Sequence, residues 1–210
     1  ISFTGSTKVG RHVGERVARR MGRSLLELGG NNAMIVDATA DLKLAIPAIV
    51  FGAVGTAGQR CTSTRRLFVQ RSIHDEMVEK LTAAYGQVAK RIGNPLDAGT
   101  LMGPLIDESS VQRYLDAVAQ ARAAGGTIAS GGDRAPQGGN YVLPALVTGL
   151  KGSDTIVHCE TFGPILYVIP FDTLDEAIAM QNEVPQGLSS ALFTLNLRHA
   201  EQFLSAAGSD

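Results

Sequence analysis

The chain has no tryptophan, only two cysteines and no long apolar run, and aromatic residues make up 5% of its 210 residues. Two cysteines, Cys61 and Cys159, cannot cross-link a fold of this size, which indicates a reducing compartment and predicts a cytoplasmic protein. The longest apolar stretch, 44–54, contains Pro47 and Gly52 and is shorter than the roughly 20 residues that cross a bilayer. We therefore expect no membrane association.

An excess of charge of either sign is also missing. Lysine and arginine total 19 against 20 aspartates and glutamates, a net charge of −1, so there is no overall basic field for nucleic acid. The four histidines lack the spacing of metal ligands, and no metal site is expected. What is present is 44% hydrophobic residues and 24 glycines, with 19% charged residues, which excludes a disordered chain.

Hydrophobic periodicity alternates between strand and helix spacing along the chain. Strands are predicted at 1–4, 24–28, 33–36, 66–70, 127–129, 164–171 and 190–194, and helices at 7–20, 41–52, 75–90, 109–124, 173–182 and 197–206. Strands that alternate with helices of this length predict an α/β fold with a parallel sheet whose faces are covered.

Both ends of the sequence suggest a piece of a longer chain. Residues 1–4 form a strand pattern with no initiating methionine and no signal segment, and residues 205–210 follow directly on a helical pattern. We expect that groups outside the 210 residues complete any site inside them.

Cys61 is the most informative residue. It follows small residues that leave a predicted buried helix, and such a loop can hold a side chain firmly while keeping it accessible. An isolated thiol is mostly protonated at neutral pH, so a nucleophilic role needs the positive environment that Arg60, Arg65 and Arg66 could supply. The alternative is a small buried side chain, and the local sequence alone favours it.

Glu27 lies among leucines at the end of the predicted strand 24–28, directly before Gly29 and Gly30. Open α/β sheets place their ligand crevice at the carboxyl ends of strands. A partly buried carboxylate there is suited to work as a general base. The alternative, an edge carboxylate paired with an arginine, is at least as well supported by the local sequence.

Two further turns are candidates for cofactor binding. Gly5 and Ser6 lie between a strand and a helix, whose N–H groups can receive a phosphate, although the GxGxxG and P-loop patterns are absent. Glu160 and Phe162 lie before the buried strand 164–171, where a carboxylate can bind a ribose and a ring can contact a flat ring. The alternatives are an ordinary helix cap and a rigid turn with Phe162 in the core.

Taken together, these motifs resemble the aldehyde dehydrogenase superfamily. The segment LELGGN at 26–31 is followed by GQRC at 58–61, with Cys61 34 positions after Glu27, and FTGS at 3–6 and ETFGP at 160–164 match two cofactor motifs in order. LLELGGNNA at 25–33, VGTAGQRC at 54–61 and SIHDE at 72–76 further resemble the α-aminoadipic semialdehyde (piperidine-6-carboxylate) dehydrogenase branch, which acts in lysine catabolism.

The resemblance implies an open, mostly parallel Rossmann-like sheet with helices on both faces. It also implies oxidation of an aldehyde through a thiohemiacetal and then a thioester on Cys61. Glu27, as general base, would activate the water that hydrolyses this thioester. NAD is the implied cofactor, with NADP as the alternative. The substrate implied by the branch is a carboxylate-bearing semialdehyde, with Arg60 as the residue that binds its carboxylate. The other implied roles are the cofactor contacts of Gly5, Ser6, Leu28, Glu160 and Phe162.

The same resemblance divides the chain into residues 1–28, the end of a cofactor-binding domain, and residues 29–210, a catalytic domain. It implies a homo-oligomer, a dimer or tetramer, for the parent protein. The family's catalytic asparagine and adenosine-ribose residues would lie before residue 1, so we expect residues 1–210 alone to fold without activity. Two alternatives stay open: a cysteine acyl-transferase or esterase that uses no nicotinamide, and a non-catalytic α/β scaffold.

Overall fold

The computed structural model describes residues 1–209. The strands are β1 (Ser2–Thr4), β2 (Leu25–Glu27), β3 (Asn32–Val36), β4 (Thr64–Gln70), β5 (Thr127–Ser130), β6 (Ala145–Thr148), β7 (Ile165–Phe171) and β8 (Ser190–Phe193). The helices are α1 (Thr7–Ala18), α2 (Leu42–Val54), α3 (His74–Ala89), α4 (Glu108–Ala123), α5 (Leu174–Asn182) and α6 (Leu197–Leu204).

Six of the strands form one sheet in the order β5-β6-β7-β4-β3-β8. Every neighbouring pair in it is parallel except β5 and β6, which are antiparallel. The predicted α/β fold with a mostly parallel sheet is therefore confirmed. The sequence-based prediction missed β6, because its four residues are too short for a periodic signal and follow a glycine-rich loop.

The centre of this sheet is the core of the molecule. Strands β4 and β7 are buried along almost their whole length, because both of their neighbours are strands and helices cover the faces. Leu67, Phe68 and Val69 are fully buried in β4. A rigid central strand thus begins three residues after Cys61.

Strands β1 and β2 form a separate parallel pair, connected by α1. The Ser6 side chain caps α1 by accepting a hydrogen bond from the Val9 N–H. The chain passes from this pair to the six-stranded sheet between Glu27 and Asn32. The division into domains at residues 28 and 29 stays a prediction.

Residues 1–209 contain neither a membrane-spanning helix nor a metal-binding cluster. No helix there combines the length and the apolar character that a bilayer crossing requires. No group of three or more histidine, cysteine, aspartate or glutamate side chains in the same residues is arranged to hold a metal ion.

Candidate active site

The backbone that leads to Cys61 makes a left-handed turn. After α2 ends, Thr56 and Ala57 both have a φ of 52° and Gly58 a φ of 68°. Residues other than glycine pay about 1–2 kcal/mol for this conformation. Gly58 is required for a second reason as well, since a Cβ there would lie 2.3 Å from the Gly163 carbonyl oxygen. Strained backbone held in place by packing is typical of functional sites.

The loop that carries Cys61 is fixed by hydrogen bonds on both sides of the cysteine. The Asn32 side-chain amide donates to the carbonyl oxygens of Cys61, at 2.7 Å, and Ser63, at 2.8 Å. The Arg60 N–H donates to the Ser63 hydroxyl at 3.1 Å. Cys61 is a free cysteine and is half-buried, so the alternative of a fully buried packing residue is wrong.

The segment after Glu27 lies against this loop. A Cβ on Gly30 would be 2.6 Å from the Cys61 carbonyl oxygen, so only glycine allows the approach. The Glu27 carbonyl accepts a hydrogen bond from the Gly5 N–H at 3.0 Å, which links the first two motifs. The Glu27 side chain is exposed, not partly buried as expected, because β2 lies in the small outer sheet. No described residue forms an ion pair with its carboxylate, contrary to the paired-edge alternative.

Leu28 and Gly10 make a similarly close contact at the start of the chain. The Leu28 side chain is half-buried and occupies the space that a side chain on Gly10 of α1 would fill, with a Cδ atom 2.3 Å from an ideal Cβ. This contact holds α1 on the segment that leads from Glu27 to the glycine pair. Gly5 and Ser6 are exposed at the same end of α1.

Glu160 joins the glycine pair to the buried strand β4. Its Oε1 accepts a hydrogen bond from the Gly30 N–H at 3.1 Å and lies 3.2 Å from an Nη atom of Arg65. Its Oε2 lies directly over Gly29, 2.0 Å from the place of a Cβ. The motifs at 26–31, 58–61 and 160–164 thus converge at one place.

Phe162 lies beside this cluster in a conformation that is rare for an aromatic residue. Its φ is 57° and 40% of the residue is exposed, so the alternative that placed it in the core is wrong. The ring lines a cavity of about 600 Å³ whose other wall is formed by residues 104–106. The Gln59 side chain fastens that wall by donating to the Pro104 carbonyl at 3.2 Å and accepting from the Ile106 N–H at 2.8 Å.

The Arg60 side chain packs against α2. Its guanidinium lies over the Phe51 ring, 4.9 Å from the centroid, and donates to the Phe51 carbonyl at 3.0 Å. Its buried Nε has no hydrogen-bond partner among the described residues. A second cavity, of about 320 Å³, is lined by Arg60 together with Thr62 and Ser190.

The sequence analysis missed the structural roles of Asn32, Gln59 and Arg66. Arg66 is buried and donates to the carbonyls of Asn31, Met180 and Gln181, and burial lowers the pKa of Arg66 to about 10. One signal was available: two successive arginines open a strand that is otherwise apolar, and a charged residue in such a strand needs partners.

Comparisons with known proteins agree with this geometry. A family profile described as "Aldehyde dehydrogenase family" matches residues 1–208. The α-aminoadipic semialdehyde dehydrogenases of Bos taurus and Mus musculus are 53% and 51% identical to this chain over 210 residues, which are 100% of the chain and 39% of each relative. The chain therefore spans about two fifths of the length of the curated relatives that it matches.

Two solved structures share the fold of this chain. A betaine aldehyde dehydrogenase from Staphylococcus aureus in complex with NAD+ superposes with a TM-score of 0.90 and 34% identity, over 95% of this chain and 40% of that one. A mutant aldehyde dehydrogenase from Bacillus cereus gives a TM-score of 0.91 at 34% identity, over 96% of this chain and 40% of that one.

Proposed function

The chain belongs to the aldehyde dehydrogenase family, and on that premise we propose that its protein oxidises an aldehyde to the carboxylic acid with NAD as the hydride acceptor. The observation that supports this most is the convergence of three distant motifs. Glu160, the Gly29–Gly30 pair and the Cys61 loop are in direct contact, although Gly30 and Glu160 are 130 positions apart in sequence.

The residues at this place fit a nicotinamide cofactor. Both polar contacts of the Glu160 carboxylate within residues 1–209 end on Oε1, so Oε2 is free to accept from a ribose hydroxyl. The exposed Phe162 ring offers a flat apolar surface beside a cavity large enough for an aromatic ring. In this proposal Leu28 and Phe162 orient the nicotinamide, and Gly5 and Ser6 contact the diphosphate at the start of α1. NADP is the alternative cofactor.

Cys61 and Glu27 divide the chemistry between them. The Cys61 thiolate adds to the aldehyde carbon and forms a tetrahedral adduct, whose oxyanion accepts a hydrogen bond from the Cys61 N–H. When bound, the nicotinamide accepts the hydride that this adduct releases. The thioester that remains on Cys61 is attacked by a water from which Glu27 takes the proton, and the acid leaves as the thiolate is restored. The exposed Glu27 carboxylate is available for this step.

The substrate that we propose is a carboxylate-bearing semialdehyde such as α-aminoadipic semialdehyde. The named relatives from Bos taurus and Mus musculus support this choice. Arg60 is the proposed partner of the substrate carboxylate, since it lines a cavity and a guanidinium can bind a carboxylate. In the full-length protein, Arg60→Ala should raise KM for the acidic semialdehyde roughly 10–100-fold and KM for a neutral aldehyde little. Equal changes for both substrates would remove the assignment of Arg60.

The test of the reaction compares the two cysteines in the full-length protein. Cys61→Ser should abolish aldehyde-dependent NADH formation. Cys159→Ser should leave it unchanged, because Cys159 is exposed and, within the described part of the chain, donates only to the Thr155 carbonyl. NADH formation by the Cys61→Ser variant at the wild-type rate would overturn the proposal. Turnover of an activated ester without any aldehyde oxidation would favour the acyl-transferase instead.

The remaining expectations are separate proposals. We propose a cytoplasmic homo-oligomer, which fractionation and light scattering on the full-length protein would test. The inactivity of residues 1–210 alone stays a prediction, and aldehyde-dependent NADH formation by this chain would contradict it.

A further inference from the structure

Arg65 is a charged side chain at the centre of the site. It is the second residue of β4, directly beside the cysteine loop, and only 1% of it is exposed. Burial of a charge without compensating contacts costs free energy, so the contacts of the Arg65 guanidinium indicate its role.

Two of these contacts bracket the nucleophile. One Nη atom of Arg65 donates to the Ser63 carbonyl at 2.7 Å, and the other donates to the Arg60 carbonyl at 3.0 Å. Cys61 lies between these two carbonyls in the sequence. The planar fork of the guanidinium therefore fixes the loop from both sides, a geometry that the single ammonium of lysine does not reproduce.

The same guanidinium holds the carboxylate that faces the cofactor. The Nη atom that binds the Arg60 carbonyl also lies 3.2 Å from Oε1 of Glu160. The Cζ atom of Arg65 lies 5.6 Å from the centroid of the Phe162 ring. Because Oε1 is occupied by Arg65 and the Gly30 N–H, the carboxylate cannot rotate freely, and Oε2 is left in a fixed position over Gly29.

The electrostatic situation of Arg65 agrees with this arrangement. Burial lowers the pKa of Arg65, whereas the negative charges of Glu160 and of a Cys61 thiolate raise it. Its buried Nε has no hydrogen-bond partner within residues 1–209.

We propose that Arg65 is a positioning residue that orients the Glu160 carboxylate for cofactor binding and couples it to the Cys61 loop. This inference rests on the proposed function, because it takes Glu160 as the carboxylate that binds the cofactor ribose. It adds a residue through which occupation of the cofactor site and the geometry of the nucleophile are linked.

The experiment is a double-mutant cycle in the full-length protein. The variants are Arg65→Lys, Glu160→Gln and the combination of the two, and NAD binding is measured by titration calorimetry, which requires no turnover. Arg65→Lys should raise Kd for NAD about 10-fold, since the Glu160 carboxylate loses the ion pair that helps to orient it. In the Glu160→Gln background the same substitution should raise Kd no further, because Arg65 acts through Glu160.

Kinetics provide a second measurement on the same proteins. Arg65→Lys should raise KM for NAD by the same factor as Kd while KM for the aldehyde changes less than about 2-fold. Arg65→Met should raise KM for NAD more than Arg65→Lys does, because it removes the positive charge as well as the planar guanidinium. If Arg65→Met fails to fold, as judged by circular dichroism, Arg65→Lys carries the test alone.

Arg71→Met is the matched control. Arg71 directly follows the opposite end of β4, is exposed and pairs with Asp172 at 2.6 Å, so its loss should leave NAD binding unchanged. Additive effects of Arg65→Lys and Glu160→Gln would overturn the inference while leaving the proposed function intact. If Glu160→Gln itself did not weaken NAD binding, the cofactor assignment within the proposed function would fail, and this inference with it.

Discussion

Oε2 of Glu160 lies 2.0 Å from the position that a Cβ on Gly29 would occupy. The other oxygen of the same carboxylate accepts a hydrogen bond from the next residue, Gly30, at 3.1 Å. Two successive glycines thus hold one carboxylate, one by its N–H and the other by the absence of a side chain. The contact connects residues that are far apart in the sequence and that both precede a strand of the main sheet.

Substitution of Gly29 should therefore act on the cofactor site. Gly29→Ala places a methyl group against Oε2 and forces the carboxylate to move, so we expect KM for NAD to rise by a factor of about 10 or more. Gly86→Ala is the control, because a Cβ there meets nothing within 4 Å and lies in α3. It should leave the kinetics unchanged and raise stability by about 1 kcal/mol. Unchanged NAD kinetics in Gly29→Ala would contradict the close contact.

The left-handed turn before Cys61 predicts a stabilising substitution. Thr56 has a φ of 52° and is exposed, so Thr56→Gly removes backbone strain at little cost in contacts. We expect the free energy of unfolding to rise by about 0.5–1 kcal/mol, as measured by urea denaturation. Thr82→Gly, the same change inside α3, should lower it by about 0.5 kcal/mol. Equal signs for the two variants would show that the turn is not strained.

Asp37 should make the free energy of unfolding depend on pH in the acidic range. Burial raises the pKa of Asp37, but hydrogen bonds from Thr194, Thr39 and His199 outweigh burial and hold that pKa below its ordinary value of 3.8. A carboxylate with a lowered pKa stabilises the fold above its unfolded pKa, and this contribution disappears as the pH falls through the folded one. Asp37→Asn should therefore be less stable than wild type at pH 7.

The difference between wild type and Asp37→Asn should narrow as the pH is lowered from about 5 to 3, in denaturation experiments at each pH. Thr194→Val removes one donor to the same carboxylate and should shift stability in the same direction by a smaller amount. A constant difference between wild type and Asp37→Asn at all pH values would contradict the prediction.

The amide of Gln59 should control the cavity wall opposite Phe162. Gln59→Glu replaces the donor that reaches the Pro104 carbonyl by a second acceptor, so the two groups repel. Amide hydrogen exchange at Ile106, whose N–H binds Gln59, should become faster by at least about 10-fold. Gln120→Glu on the exposed face of α4 is the control and should leave this exchange unchanged.

Local pattern was sufficient for much of this fold. The continuous apolar residues of β7 predicted a buried strand. The half-buried position of Cys61 did not follow from its neighbours, because the local sequence favoured a buried side chain. The exposure of Glu27 was not predictable, because it depends on β2 pairing with β1 and not with the main sheet. The contacts of Arg65 were likewise not predictable. Glu160 comes 95 positions later, and the sequence of a strand does not indicate which distant residues its arginine contacts.

The strand order also determines when the site can form during protein synthesis. Strand β4, which begins beside Cys61, pairs with β7, and the register joins Arg66 to Tyr167 across about 100 intervening residues. A ribosome that has just released the cysteine loop has not yet made the strand that completes its support. The Cys61 loop is therefore translated early but supported late, and contacts this distant along the chain make for slow folding.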